Sequence, residues 1–471
     1  MSRDWGHLRA DVGLPVTLGE LAEWAGAELA GNARELPVGG LAGDSRAVIE
    51  GDLFVALTGS RVDGHDYLDR VVGRAAAALV SRPRRDLELI QLIVEDVRRA
   101  LLAVGAGFRD RRPDLRVIGV TGSVGKTSTK DYLGRIMLDH APTLVTAGNL
   151  NTEIGVPLTL ARLNREHRFA VLEMGMQWSG EIASLARSAR PEIGVITAVG
   201  PAHLEFFSSV RSIARAKAEL LEALPPDGFA VLPVGEYLDY LRAFAPCRVI
   251  TFGLTEGHCR AEGLRPLHRG SSFELVWEPP PDLGLKPLRR TVELPRPGGH
   301  QVLSALRAAA TALAAGVPSQ LVVDGLSAAE LTPQRGDVVK KGSLTILADS
   351  YNANPMSMEA ALRTLAGLPA ERRLVVLGDM LELGPAAPEL HREIGRLAAR
   401  LGMNVLIGVG EFAEELAAGA RDGGMSRVYV VQTPEEAAEL LNELLRPGDA
   451  LLAKASNALR LDQLTDQLPA L

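Results

Sequence analysis

Short apolar runs alternate with amphipathic stretches through the middle of the chain. The runs at 115–120, 169–174 and 193–199 are largely apolar, as strands buried inside a parallel sheet are. Each run is followed by glycine and by a stretch whose apolar residues recur at helical spacing. This repeated order of strand, turn and helix predicts a doubly wound parallel sheet.

The same pattern divides the chain into three parts. Residues 1–95 contain a strand-like run at 52–57, and a charged helix predicted at 96–112 leads into the central part. An alanine-rich helix is predicted at 305–315. The last part carries strand-like runs with helices between them, at 344–348, 373–377, 405–409 and 450–453. We therefore predict three α/β domains, at 1–95, 96–330 and 331–471, the last a smaller Rossmann-like unit.

Composition narrows the class of protein. With 46% hydrophobic and 23% charged residues among 471, the chain is expected to fold as a soluble protein. The net charge of −7 argues against nucleic acid as its main partner. No apolar run is long enough for a membrane span, and the N-terminus does not resemble a secretory signal. Cys247 and Cys259 have neither disulfide-scaffold nor zinc-site spacing, so a cytoplasmic protein is expected.

A glycine-rich loop follows the first central strand. It reads Thr-Gly-Ser-Val-Gly-Lys-Thr-Ser from Thr121, with two residues between Gly122 and Gly125 where the common phosphate-binding loop has four. Between a strand and a helix, such a loop directs backbone N–H groups and the helix dipole at an anion. Lys126 would reach the outer phosphates and the Thr127 hydroxyl suits Mg²⁺. The alternative is a plain turn between strand and helix.

Two further candidates lie at the ends of neighbouring strands. Glu173 ends the second central strand, and His203 follows the third. Ligands bind at the carboxyl ends of the strands in open α/β sheets, so these groups and Lys126 are expected to meet around a metal–phosphate cluster. Glu173 could instead cap the next helix, and His203 could be an ordinary loop histidine. Lys217 lies on a predicted helix, where a solvated position is the usual expectation.

Polar turns in the third part leave two interpretations open. The run 349–355, Asp-Ser-Tyr-Asn-Ala-Asn-Pro, ends a predicted strand. It could be a simple turn, or it could present hydrogen-bonding groups to a ligand at a domain cleft. Asp379 and Glu382 follow the next strand in a similar position, where a surface loop is equally expected.

These motifs together resemble one family over nearly the whole chain. The short loop has the G-x-x-G-K-T form of the Mur ligases, ATP-dependent enzymes that form amide bonds in peptidoglycan synthesis. The runs 148–157, 173–175 and 200–205 are similar to the family's central ATPase domain. The runs 44–46, 51–57 and 63–65 resemble the N-terminal domain that holds a uridine nucleotide sugar. The runs 349–355 and 377–384 resemble the branch whose amine substrate is D-alanyl-D-alanine.

The resemblance implies roles for individual residues. It implies catalytic roles for Lys126, Lys217, His203 and Arg335. It implies nucleotide contacts from Gly122, Ser123, Val124, Gly125, Lys126, Thr127, Ser128, Asn149, His300, Arg335 and Asp349. It implies substrate contacts from Asp44, Ser45, Arg46, Asn151, Tyr351, Asn352 and Asn354. Two Mg²⁺ ions are implied, with Thr127, Glu173, His203 and a carbamylated Lys217 as ligands. Gln301 and Ser304 stand where the family usually has Asn beside the adenine, so the resemblance leaves the adenine contacts open.

The implied reaction uses ATP to join UDP-N-acetylmuramoyl-tripeptide to D-alanyl-D-alanine through an acyl phosphate, for cell-wall formation, cell shape and division. A cytoplasmic monomer that binds no nucleic acid and does not enter the membrane is expected. Two other hypotheses stay open at this point. A sibling ligase would add a diamino acid or D-Glu instead, and a non-catalytic ATP-binding module would regulate a partner.

Overall fold

A computed structural model describes residues 8–29, 33–59, 62–267 and 270–468. These residues form three β-sheets with helices packed against them, which confirms the predicted α/β class. Short 3₁₀ helices lie at Gly64–Tyr67, Pro281–Leu283, Gly384–Ala386 and Asn457–Leu459. Within the described part of the chain, no helix is both long and apolar enough to cross a bilayer.

The first sheet has six strands in the order β1-β3-β4-β5-β6-β2. Its elements are β1 (Arg9–Thr17), α1 (Leu18–Ala25), β2 (Glu28–Leu29), β3 (Pro37–Ala42), β4 (Asp52–Val55), α2 (Leu68–Val71), β5 (Ala77–Val80) and β6 (Gln91–Ile93). Strands β3 to β6 are parallel, and the two edge strands are antiparallel to their neighbours. Helix α3 (Val97–Asp110) follows, where the sequence predicts it, and the Asp96 side chain caps its start.

The second sheet has nine strands in the order β15-β14-β13-β12-β11-β10-β7-β9-β8. Its strands are β7 (Arg116–Thr121), β8 (Thr143–Val145), β9 (Phe169–Glu173), β10 (Ile193–Ile196), β11 (Phe229–Pro233), β12 (Arg248–Phe252), β13 (Cys259–Leu267), β14 (Gly270–Trp277) and β15 (Leu288–Leu294). Its helices are α4 (Lys126–His140), α5 (Gly155–Ala161), α6 (Glu181–Ala189), α7 (Val210–Glu222), α8 (Leu238–Arg242), α9 (Gly299–Ala314) and α10 (Ser319–Ser327). Strands β7 to β12 are parallel, and β13, β14 and β15 pair antiparallel.

Strand β7 shows why its run is apolar throughout. Ile118 and Val120 pack into a core shared with helices α4, α9 and α10, whereas Val117 packs into the opposite core with α5, α6 and α7. Because helices cover both faces of this sheet, alternate residues of the strand are equally buried. The doubly wound arrangement predicted from the sequence is confirmed here.

Helix α9 begins at Gly299, six residues before the predicted start at 305. The residues before 305 include Gln301 and Ser304, which carry no apolar periodicity in the sequence. Both are buried in the structure, at 1% exposure each. Tertiary packing therefore extends the helix beyond its apolar pattern.

The third sheet has the order β16-β17-β21-β18-β19-β20, and all its pairs are parallel except β16 with β17. Its strands are β16 (Asp337–Lys341), β17 (Leu344–Ala348), β18 (Arg372–Gly378), β19 (Val405–Val409), β20 (Val428–Val431) and β21 (Asp449–Lys454). Its helices are α11 (Pro355–Gly367), α12 (Ala387–Arg400), α13 (Ala413–Asp422), α14 (Pro434–Leu444) and α15 (Asp462–Gln467).

The connection from α10 to β16 is held against the second sheet's helices. The Arg296 guanidinium donates to the carbonyl oxygens of Leu331 and Thr332, each at 2.9 Å. The Asp131 carboxylate, on α4, accepts from the Thr332 N–H at 2.8 Å. These contacts hold the start of the connection that leads into the third sheet.

Candidate active site

A cavity of about 1250 Å³ lies at the carboxyl ends of β7, β9 and β10, which are neighbours in the second sheet. Residues from all three α/β units contribute to its wall. The predicted site residues that line it are Ser123, Val124, Gly125, Lys126, Thr127, Ser128, Asn149, Asn151, Glu173, His203, His300, Arg335, Asp349, Tyr351, Asn352 and Asn354. Gly122 and Lys217 lie outside this wall. The structure thus brings together groups that are more than 200 residues apart in sequence.

The two loop glycines have geometry that other residues could not adopt. Gly122 and Gly125 have φ angles of 151° and 80°. A Cβ atom on Gly122 would lie 1.9 Å from Thr197 Oγ1. Gly125 caps helix α4, whose N-terminus faces the cavity. The loop is therefore a tight turn that depends on glycine, and it ends at a helix N-terminus that can bind an anion.

Lys126 is the first residue of α4 and is half-buried in the cavity wall. Its ammonium donates to the Gly122 carbonyl oxygen at 2.7 Å. Burial lowers the pKa of Lys126, while the nearby Glu173 carboxylate acts in the opposite direction. The side chain therefore lies folded across its own loop, next to where a phosphate would sit.

Glu173 is the last residue of β9 and is 1% exposed. Its Oε1 accepts from Asn151 Nδ2 at 2.7 Å, whereas its Oε2 is buried without a hydrogen-bond partner. The alternative that Glu173 caps the next helix is wrong, because α6 is capped by Gly180. A buried carboxylate oxygen without a partner is costly, and a hard cation such as Mg²⁺ would satisfy it.

No group of three or more His, Cys, Asp or Glu side chains among the described residues could hold a metal ion by itself. A Mg²⁺ ion at this site would therefore need oxygens from phosphate, water or other side chains. Thr127, which lines the same cavity, carries a hydroxyl oxygen of this kind. Phosphate-rich coordination is the usual situation for Mg²⁺ in nucleotide-binding enzymes.

Lys217 is buried in α7, at 2% exposure. The expectation of a solvated helical lysine is therefore wrong: α7 packs between two cores, which also cover this position. Burial, together with the positive charge of Lys126, lowers the pKa of Lys217 well below its ordinary value. The Lys217 amine is therefore more readily neutral here than the amine of an exposed lysine would be.

His203 contacts a residue of the third α/β unit. Its Nδ1 forms an ion pair or hydrogen bond with Oε2 of Glu382. Glu382 Oε1 accepts from Gln177 Nε2, and its carbonyl oxygen accepts from the Glu205 N–H, both at 3.0 Å. The φ angles of His203 and Glu382 are both positive, at 59° and 64°. Glu382 lines the cavity as well, and its hydrogen bonds connect the third unit to the second.

Asp379, on the same turn, has a different position. Its carboxylate accepts from the backbone N–H groups of Glu411 and Phe412 at 3.0 and 2.9 Å. Asp379 does not line the cavity. Of the two acidic residues on this turn, Asp379 stabilises the loop at Glu411 and Phe412, whereas Glu382 lines the cavity.

The third unit also supplies cationic groups to the cavity. Arg335 Cζ lies 4.0 Å from the centroid of the Tyr351 ring, and Arg335 Nε is buried without a hydrogen-bond partner. Lys454 Nζ contacts Asp349 Oδ2 at 2.9 Å and donates to the Asn352 carbonyl oxygen at 2.8 Å. Lys454 was missed by sequence reasoning. Its position at the end of β21, at the same edge as the end of β17, was the available signal.

Two predicted substrate residues also have local structural roles. Asn354 caps α11, because its Oδ1 accepts from the Ser357 N–H at 2.9 Å. Its Nδ2 lies 3.4 Å from the carbonyl oxygen of Ser123 in the glycine-rich loop. Asn151 orients Glu173, as described above. Both amides therefore stabilise the site wall whether or not they touch a ligand.

The two positions that depart from the family pattern lie where α9 meets the cavity. Gln301 Nε2 donates to the Arg335 carbonyl oxygen at 2.8 Å, and its Oε1 is buried without a partner. Ser304 Oγ donates to the His300 carbonyl oxygen at 3.0 Å. Arg307, one turn further along, lines the same wall and was not singled out in the sequence.

A second cavity, of about 290 Å³, lies in the first unit and is lined by Asp44, Ser45 and Arg46. Asp44 accepts from the Arg46 backbone N–H at 2.8 Å and from its guanidinium at 2.6 Å. Gly59 and Val62 line both this cavity and the larger one. The two cavities are therefore adjacent, with a shared wall.

Comparison with known proteins gives concordant matches. The Mur ligase middle domain matches residues 120–312, and the Mur ligase glutamate ligase domain matches residues 334–457. The chain is 37% identical to UDP-N-acetylmuramoyl-tripeptide–D-alanyl-D-alanine ligase of Escherichia coli over 84% of this chain and 86% of that protein.

Solved structures match at the level of the whole chain. A crystal structure of MurF from Acinetobacter baumannii has a TM-score of 0.89 and 33% identity, covering 97% of this chain and 99% of that one. MurF ligase from Thermotoga maritima in complex with ADP has a TM-score of 0.78 and 26% identity, covering 90% and 96%. From these matches, this chain belongs to the Mur ligase family.

Proposed function

We propose that this chain is an ATP-dependent ligase that joins D-alanyl-D-alanine to UDP-N-acetylmuramoyl-tripeptide. The observation that carries the proposal is the cavity in which the glycine-rich loop, Lys126, Glu173 and His203 face Arg335 of the third unit. The name of the E. coli relative, whose sequence aligns with most of this chain, supports the choice of substrates.

The two cavities fit the two ends of such a substrate. We assign the uridine nucleotide sugar to the smaller cavity, beside Asp44, Ser45 and Arg46. The peptide would then pass Gly59 and Val62, which both cavities share, and its carboxylate would enter the larger one. We assign ATP to the glycine-rich loop, with D-alanyl-D-alanine near the turn 349–355.

The chemistry begins with a carboxylate and a triphosphate, which repel each other. In our scheme a carboxylate oxygen attacks the γ-phosphorus of ATP, forming a C–O–P bond while the bond to ADP breaks. The amine of D-alanyl-D-alanine then attacks the acyl carbon. The tetrahedral intermediate loses inorganic phosphate and a proton, which leaves the amide. Lys126 and Arg335 supply positive charge where the two anions approach.

Mg²⁺, when bound, would offset negative charge on the phosphate oxygens. We assign Thr127 and Glu173 as residues that would hold one ion, which the unpaired Oε2 of Glu173 supports, and His203 as a residue that would hold a second. We also assign a carbamate on Lys217 to this set. A carbamate forms when a neutral amine attacks CO₂ and loses a proton, so the lowered pKa of Lys217 favours it.

The remaining parts of the proposal concern the whole protein. We propose domain boundaries at 1–95, 96–330 and 331–471, which place each sheet in one domain. We also propose a monomer that works in the cytoplasm, where ATP is available, and that does not act on nucleic acid. Both cysteines are free, which is usual for a protein in the reducing cytoplasm.

One assay tests the activity. The protein is mixed with ATP, Mg²⁺, UDP-N-acetylmuramoyl-tripeptide and D-alanyl-D-alanine, and the products are identified by mass spectrometry. We expect the pentapeptide product with one ADP and one phosphate per amide bond, and none when any component is omitted. D-Glu, lysine and diaminopimelate are the competing amines. Product with one of them in preference to D-alanyl-D-alanine would identify a sibling ligase, and no ATP turnover in any mixture would overturn the proposal.

A further inference from the structure

Arg307, on helix α9, is a buried cation in the wall of the larger cavity, and the reaction scheme above does not use it. The residue is 4% exposed. Nη1 lies 3.3 Å from Thr129 Oγ1 and 3.3 Å from Ser304 Oγ. Nε is buried without a hydrogen-bond partner. A guanidinium has five N–H donors, so most of this group's hydrogen-bonding capacity is unused.

Arg307 also has no counter-charge among the residues that the structure describes. None of the ion pairs found among the described residues includes it. Burial lowers the pKa of Arg307 to about 9, so the side chain still carries its charge at neutral pH. A buried charge without a partner is costly, and an anionic ligand would remove that cost.

The position of this charge indicates which anion it could meet. Nη1 lies 2.2 Å from the point that a Cβ atom on Gly125 would occupy, so the guanidinium touches the glycine-rich loop. Gly125 caps α4, and Thr129 belongs to the same helix's first turn. The guanidinium is therefore beside the helix start at which a phosphate group is expected to bind.

We propose that Arg307 is a further nucleotide-binding residue of this chain, whose guanidinium contacts an oxygen of the ATP phosphate chain. The inference rests on the proposed function, because it takes ATP as the ligand of this loop. It adds a third cation to Lys126 and Arg335, from a helix that neither of them occupies. It also gives the α9 wall, where Gln301 and Ser304 depart from the family pattern, a phosphate contact of its own.

The competing explanation is that Arg307 only supports the fold. Its guanidinium carbon lies 5.4 Å from the centroid of the Phe252 ring, a distance at which a cation and an aromatic ring attract each other. A supporting role would make the variant less stable without changing how the protein ranks phosphorylated ligands. The two explanations therefore differ in their ligand dependence.

The test is a binding series with the full chain. ATP, ADP, AMP and adenosine are titrated against the wild type, Arg307→Met and Arg307→Gln, and unfolding temperatures are recorded for each. The matched control is Arg109→Met. Arg109 is a buried arginine that donates to the backbone carbonyl oxygens of Ala189 and Leu115 and does not line the cavity.

We expect both Arg307 variants to bind ATP and ADP about 10- to 100-fold more weakly, the range for one charge-assisted hydrogen bond. Adenosine affinity should change less than twofold. The control should lose stability and keep its nucleotide affinities. ATP and ADP affinities within twofold of the wild type in a folded Arg307 variant would overturn the inference, as would an equal loss for all four ligands. If the wild type itself binds no ATP, the proposed function fails instead.

Discussion

Lys126 and Lys217 lie close enough for the charge of one to lower the pKa of the other. Lys126 lies in the cavity wall, where a protonated side chain can meet a phosphate. Lys217 is buried and does not line that cavity, and its burial favours the neutral amine. The two lysines therefore have different surroundings, and in the proposed reaction Lys126 acts as a cation while the Lys217 amine reacts with CO₂.

Replacing Lys126 by Ala should lower turnover about 10²- to 10³-fold and leave sugar-nucleotide binding intact. The ammonium is a preorganised donor at the transferred phosphate, and loss of one such donor costs about 10²- to 10³-fold in kcat. The measurement is product formation at saturating substrates, with binding of the UDP-linked substrate measured separately. Lys340→Ala, on exposed β16, is the control. Turnover close to that of the wild type would rule out the role given to Lys126.

Removing CO₂ should lower activity if Lys217 is carbamylated. We expect the rate to fall in CO₂-depleted buffer and to recover when bicarbonate is added. ¹³C-labelled bicarbonate should give a carbamate signal by NMR that is absent in Lys217→Arg. An unchanged rate without CO₂, together with no carbamate signal in the wild type, would show that the amine is unmodified.

At the scale of elements, the turn after β18 connects the third unit to the second. Glu382 reaches across to His203 Nδ1, which leaves the other ring nitrogen of His203 for a ligand. A carboxylate on the far nitrogen of a metal-binding histidine fixes the orientation of its ring. If His203 holds Mg²⁺ as proposed, Glu382 is a positioning residue, and it can act only while the second and third units are in contact.

Glu382→Ala should weaken the apparent affinity for Mg²⁺ by about 10- to 100-fold, the usual effect of losing such a partner. The rate measured against Mg²⁺ concentration checks this. Asp379→Ala is the matched control, because Asp379 is on the same turn but bonds only the backbone N–H groups of Glu411 and Phe412. The control should cost about 1–3 kcal/mol of stability and leave the Mg²⁺ dependence unchanged. An equal shift in both variants would mean that Glu382 merely stabilises the turn.

Local patterns predicted the elements well, because apolar runs and glycine turns are properties of short stretches. The ends of β7, β9 and β10 were therefore predictable, and with them the meeting of Lys126, Glu173 and His203. The contact of His203 with Glu382 was not predictable, since it depends on how the third unit docks. The burial of Lys217 was not predictable for a similar reason. The sequence of its helix gives the spacing of apolar residues but not the tertiary packing that buries this side chain.

Across the whole protein, each of the three α/β units contributes residues to the walls of the two cavities. The first unit holds a small cavity, the second supplies the glycine-rich loop and Glu173, and the third supplies Arg335, Asp349 and Lys454. The larger cavity contains residues from all three units, so we infer that they act together. The defining step of the proposed reaction is that a substrate carboxylate accepts a phosphoryl group in this cavity.

Isotope transfer follows the oxygen atoms through that step. The tripeptide substrate is labelled with ¹⁸O in both oxygens of its reacting carboxylate, and the released phosphate and the amide product are analysed by mass spectrometry. We expect one ¹⁸O atom in each phosphate released and one retained in each amide. Unlabelled phosphate beside a labelled product would rule out an acyl phosphate, and label in AMP would show that the carboxylate is activated by a different route.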